Sequence, residues 1–127
     1  MDNQAHSLAI DVKTAYLTEE SLPGQAQYVF SYTVTIENTG IIPAQLLRRH
    51  WVITDANGLK IEVLGDGVVG EQPYIRPGEK FQYTSMTSIK TPVGVMHGSY
   101  KMIGDDGVTF DAPIPAFRLA ILRQVFH

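Results

Sequence analysis

Hydrophobic and polar residues alternate with a period of two along most of the chain, the pattern of strands that bury one face. In SLAIDVKTAYLT, Leu8, Ile10, Val12 and Tyr16 share one parity, while Asp11 and Lys13 take the other. The clearest run is YVFSYTVTIENTG. There Tyr28, Phe30, Tyr32, Val34 and Ile36 alternate with Ser31, Thr33, Thr35 and Glu37 until Asn38, Thr39 and Gly40 end the strand. AQLLRRHWVITDANGLKIEVL reads as two strands joined at Asn57 and Gly58, a pair that accepts positive φ in a tight hairpin turn. In KFQYTSMTSI, Phe81, Tyr83, Met86 and Ile89 are expected to face inward, after a type II turn centred on Pro77 and Gly78. GVMHGSYKMIGDDGVTFDAPI supplies a second hairpin, turning at Asp106 and Gly107.

The closing segment AFRLAILRQVF fits a strand with Phe117, Leu119 and Ile121 on one side, or a short amphipathic helix with Phe117, Ile121 and Val125 on one face. Pro113 and Pro115 directly before it, and a chain that offers only sheet partners, favour a strand as far as Leu122. Seven or eight strands with turn signals at short intervals predict an all-β fold. Its expected form is an antiparallel sandwich of two sheets, with a closed barrel as the alternative. A chain of 127 residues has the size of a single domain, spanning 1–127, and buries about two-thirds of its unfolded surface, enough for one core.

Composition narrows the function classes. No apolar run approaches the roughly 18 residues of a membrane-spanning helix, so insertion in a membrane as a channel or pump is not expected. The start, MDNQAHSLAI, lacks the basic and apolar regions of a secretory signal. The absence of cysteine removes disulfides, thiolate metal sites and Cys nucleophiles, and agrees with a cytoplasmic address. A net charge of −3, with one dense basic pair at Arg48 and Arg49, argues against a nucleic-acid partner.

The motif that most invites a chemical reading is GDGVVGEQP, where Gly65, Gly67 and Gly70 have the spacing of a dinucleotide-binding fingerprint. That fingerprint needs a helix to open at the third glycine, and Pro73 and Pro77 prevent one. Asp66 and Glu71 also bring negative charge to the place of a phosphate. A glycine-rich connection between strands is therefore expected. The functional alternative is a backbone nest that binds, or binds and hydrolyses, a nucleotide or diadenosine polyphosphate. On that alternative, Gly67→Ala is expected to abolish nucleotide binding and leave the fold intact.

His50 and His97 fall on strands, and Asp105 and Asp106 flank a turn; together they are the candidate ligands for a divalent cation, against plain structural or surface roles. No resident cofactor is expected. No HExxH, calcium loop or nucleophile elbow appears, so no catalytic residue is assigned. Arg48, Arg49 and Trp51 have the composition of an interaction hot spot. The competing reading puts Arg49, Trp51 and Ile53 on one strand face, with the ring in the core and the arginines at its rim.

The segments RHWVITDANG, GDGVVGEQP, RPGEKFQYTS, TPVGVMHGSY and FDAPIPAFRL together resemble the ApaG family over nearly the whole chain. That resemblance implies a fibronectin type III or immunoglobulin-like sandwich. It further implies a loose link to cobalt and magnesium efflux and, from related domains attached to F-box and DNA-polymerase-interacting proteins, an interaction role. The family brings no established catalytic residues. The expected function is thus a small non-catalytic binding module that acts through an unidentified protein partner. A homodimer with Val125 and Phe126 in its contact is a further expectation.

Overall fold

The alternation is realised as two antiparallel sheets packed face to face. The computed structural model describes residues 5–121, and among these the strands are β1 (Leu8–Tyr16), β2 (Tyr28–Asn38), β3 (Ala44–Asp55), β4 (Lys60–Asp66), β5 (Tyr74–Ile75), β6 (Lys80–Ile89), β7 (Val93–Gly104) and β8 (Thr109–Ala120). One sheet has the order β1-β2-β6; the other has β4-β3-β7-β8, with β5 pairing the start of β3. The expected sandwich is therefore present. Leu122, Val125 and Phe126, named above for the last strand and for a dimer contact, lie outside the described residues.

Several local expectations change. Met86 sits on the wrong parity of β6: Phe81, Tyr83 and Ile89 point to the core, and Met86 is 60% exposed. Both hairpins turn through a type I turn and a left-handed glycine rather than a two-residue pair. Gly58 (φ 86°) and Gly107 (φ 80°) take positive φ, whereas Asn57 and Asp106 do not. Asp55 explains the first turn, since its Oδ1 accepts from the amides of Asn57 and Leu59 and stiffens the loop. Pro77 and Gly78 do form the type II turn, with Gly78 at φ 84° and the Glu79 amide donating to the Arg76 carbonyl. The two closing segments are one strand, β8, which runs through Pro113 and Pro115 because an edge strand needs no outward N–H.

Irregularities in two strands decide which side chains reach the core. Opposite β7, the register of β3 shifts between Leu46 and Arg48. Ala44 and Leu46 face inward before the shift; Arg49, Trp51 and Ile53 do so after it. A bulge inserts one unpaired residue and re-aims everything beyond. Trp51, 2% exposed, becomes the centre of the core, with the rings of Tyr32, Phe117 and Tyr100 set T-shaped around it at centroid distances of 5.3, 5.9 and 6.3 Å. The expectation that Trp51 is a surface contact residue is thus corrected. A second shift, opposite Met96 and Gly98, turns β8 so that Phe117 and Leu119 continue the face begun by Ala112 and Ile114.

The two flanks of the sandwich differ. On one, β1 lies against β8, and His6 reaches Asp106 at 2.9 Å and packs on Phe110. On the other, the edges of β4 and β6 leave a cleft between the sheets. Asn38, buried at the end of β2, ties this architecture together: its Nδ2 donates to the carbonyls of Ile42 and Ile75, and its Oδ1 accepts the Gly40 amide.

Across the interior, the hydroxyls of Tyr83 on β6 and Tyr100 on β7 meet at 2.5 Å and link the sheets. Burial pushes both phenols well above their ordinary value, against a smaller opposing pull from the Arg49 charge. The sign follows: above pH of about 10 the unfolded chain loses these protons and the native state keeps them, so stability falls as pH rises. Two phenols give a slope of up to about 2.7 kcal/mol per pH unit. Urea unfolding between pH 8 and 11 is expected to show this decline, and to show a shallower one in a chain carrying both Tyr83→Phe and Tyr100→Phe. Equal slopes would contradict the assignment.

Candidate functional site

The bulge on β3 also builds the most distinctive feature of the open flank. Because of it, the Arg49 side chain enters the space between the sheets, where Nη1 donates to the carbonyls of Asp66 (3.1 Å) and Gly67 (2.9 Å). The carbonyl of Leu47, the residue at the bulge, accepts the Gly67 amide (2.8 Å) and the Gln72 Nε2 (2.9 Å). Sheet and glycine stretch are thus joined in both directions.

Each glycine of the stretch has a separate steric reason. A Cβ on Gly65 would lie 2.7 Å from Cζ of Arg49, so glycine makes room for the guanidinium. Gly67 has φ 63°, and a Cβ there would run into the Glu71 carbonyl. Val68 and Glu71 exchange both backbone bonds, at 2.8 and 2.9 Å, around Val69 (φ 43°) and Gly70 (φ 83°). Positive φ at both central residues is the type I′ hairpin geometry. No helix opens at Gly70. The amides of Gly67, Val68 and Glu71 are engaged within the protein, and the Asp66 and Gly67 carbonyls face the guanidinium.

Val69 stands out in this turn. A side chain in the left-handed region costs about 1–2 kcal/mol, and a β-branched one is a true outlier there. Yet Val69 is 55% exposed, so no burial compensates. It borders a hollow of about 310 Å³ lined also by Tyr32, Arg49, Asp66, Tyr83 and Ser85. Further along the same flank a second hollow, of about 260 Å³, lies between Ile53 and Ile89, with Leu59, Ile61, Ser88 and Lys90 at its walls.

The other candidates are scattered. Arg48 points outward and Arg49 inward, so Arg48, Arg49 and Trp51 form no common surface. His50 lies on the outer face of the five-stranded sheet and contacts Glu62; exposed His97 sits opposite Val52, one row away. Asp105 and Asp106 belong to the β7–β8 turn, roughly 20 Å further along at about 3.3 Å per residue. There the Tyr74 hydroxyl donates to Asp105, and this bond raises the phenol. The Val108 amide, ahead of His6, holds the Asp106 carboxyl below its usual range. The four residues therefore do not assemble into one cation site, and among the described residues no group of three or more His, Asp or Glu is placed to hold a metal ion.

These contacts reverse the expectation that Gly67→Ala leaves the fold intact. The substitution strains φ and meets backbone, and is expected to destabilise by about 1–3 kcal/mol in urea unfolding. Gly24→Ala, at a position with open space, serves as the control and is expected to be near neutral. Equal stability of the two variants would contradict the loop geometry.

The sequence profile of the ApaG domain matches residues 18–104. Protein ApaG of Methylococcus capsulatus is 59% identical over 125 residues, 98% of this chain and 99% of its own length. Protein ApaG of Pseudomonas aeruginosa is 56% identical over 121 residues, 95% of this chain and 96% of its own. The crystal structure of a Bordetella pertussis protein called ApaA superposes with a TM-score of 0.92 at 48% identity, covering 95% of this chain and 98% of that one. With its profile match, near full-length relatives and shared sandwich, the chain belongs to the ApaG domain family.

Proposed function

We propose that this ApaG domain is a non-catalytic binding module that docks a protein partner on the open flank between β4 and β6. The observation that carries the reading is Val69: a strained, exposed, β-branched residue held at the mouth of a cleft by the Arg49 network. Strain without a structural return is a pointer to function. Further along the same flank, Leu59 and Ile61 are nearly half exposed at the wall of the second hollow, which supports the same reading.

In this reading, the link to cobalt and magnesium homeostasis implied by the family resemblance runs through a cytoplasmic protein partner. Ion binding by the chain is a poor route for it, because His50 and His97 stand far from Asp105 and Asp106.

The test separates strain from function. Val69→Asn suits a type I′ turn and is expected to raise stability by about 1 kcal/mol. The same change is expected to reduce capture of a partner by the tagged, purified protein, assayed with and without cobalt or magnesium. A variant that gains stability and captures the partner undiminished would refute the reading, as would failure of the unaltered protein to capture any partner under every metal condition.

A further inference from the structure

We propose, building on the open-flank reading, that the free edge of β6 accepts an extended segment of a partner as an added β-strand, uncharged along its length and acidic at both ends. Two sheets have four edges, and three carry devices that block pairing with another strand. The β1 edge bears Asp11 and Lys13 and lies against β8. The β8 edge holds Pro113 and Pro115 and a register shift. The β4 edge is short and charged, with Lys60, Glu62 and Asp66.

Apart from Lys80 at its start, β6 has none of these devices. Between Lys80 and Lys90 it contains no charged residue, proline or glycine, and its register with β2 is unbroken from Glu37↔Lys80 to Tyr28↔Ile89.

The hydrogen-bond phase shows what the edge offers. The Asn38 amide donates to the Glu79 carbonyl, directly opposite in register, so this pair and every second pair beyond it bond to β2. Phe81, Tyr83, Ser85 and Thr87 are thereby used. The N–H and C=O groups of Lys80, Gln82, Thr84, Met86 and Ser88 point away from β2, and all five residues are exposed. Such an alternating row is what strand addition requires.

Charge selects the occupant. In an antiparallel self-pair centred on Ser85, each Lys80 would face the Lys90 of the other copy, placing like charges opposite at both ends. The same two lysines attract a strand with acidic ends. A second copy in that register is therefore disfavoured, and a partner segment of complementary pattern is favoured.

The experiment selects twelve-residue peptides from a random display library on the full chain, then follows the best synthetic peptide by amide hydrogen exchange. Enriched peptides are expected to carry an uncharged run bounded by Asp or Glu, and to slow exchange at Gln82, Thr84 and Met86. Thr84→Pro removes an outward N–H and is expected to weaken binding about tenfold, its fold checked by melting. Lys80→Glu with Lys90→Glu, both on the surface, is expected to lower affinity about fivefold and to restore it for a lysine-ended peptide.

Peptides that bind the cleft without protecting β6 would overturn strand addition and leave the binding-module reading standing. Enrichment without the charge pattern, or no enrichment, would also overturn it. A concentration-dependent dimer abolished by Thr84→Pro would assign the edge to a second copy instead. Loss of strand addition together with failed partner capture would remove both readings.

Discussion

The bulge at Leu47 is the constraint on which the rest of this molecule depends. Without the register shift, the parity set by Ala44 and Leu46 would send Arg48 into the sandwich and Trp51 out to solvent. With it, Trp51 fills the centre and Arg49 enters the flank, where one guanidinium nitrogen holds two carbonyls of the glycine stretch. Charge-assisted bonds of this kind are stronger than neutral ones. The sequence spacing that invites comparison with a phosphate cradle is therefore spent on accommodating an arginine, admitting a carbonyl and closing a turn.

The same geometry makes the sandwich asymmetric. One flank is closed by β1 on β8, and the other is left as a cleft rimmed by Val69, Ile61 and the uncharged edge of β6. A fold of this class needs a buried face on each sheet, but it does not need an open flank or a β-branched residue at positive φ. These features cost stability in isolation, and a partner laid against them would offset that cost.

Much of this was legible in the residues. Period-two alternation located the long strands, and prolines at 73 and 77 excluded a helix after Gly70. The bulge was not read from the sequence, because Leu46, Leu47 and Trp51 are all apolar and the change of inward parity between them is masked. What stayed hidden has physical causes. β5 is two residues long, too short to show a period. Met86 is apolar and off parity, so composition alone gave the wrong face. The left-handed conformation of Val69 is imposed by the Val68–Glu71 pairing, against the residue's own preference, so no local rule could have announced it. Histidines and aspartates looked combinable in sequence, but the strand register separates them along the sheet.

Arg49 holds the glycine stretch inward, and the cleft, the turn at Val69 and the closed amides all follow from that hold. The most direct measurement is amide hydrogen exchange at Gly67, Val68 and Glu71 in the unaltered protein and in Arg49→Lys, each with and without ATP and magnesium. Slow exchange in the unaltered protein, indifferent to nucleotide and about tenfold faster in the variant, is the expected result. Fast exchange that becomes slow when nucleotide is added would show instead that those amides await a phosphate.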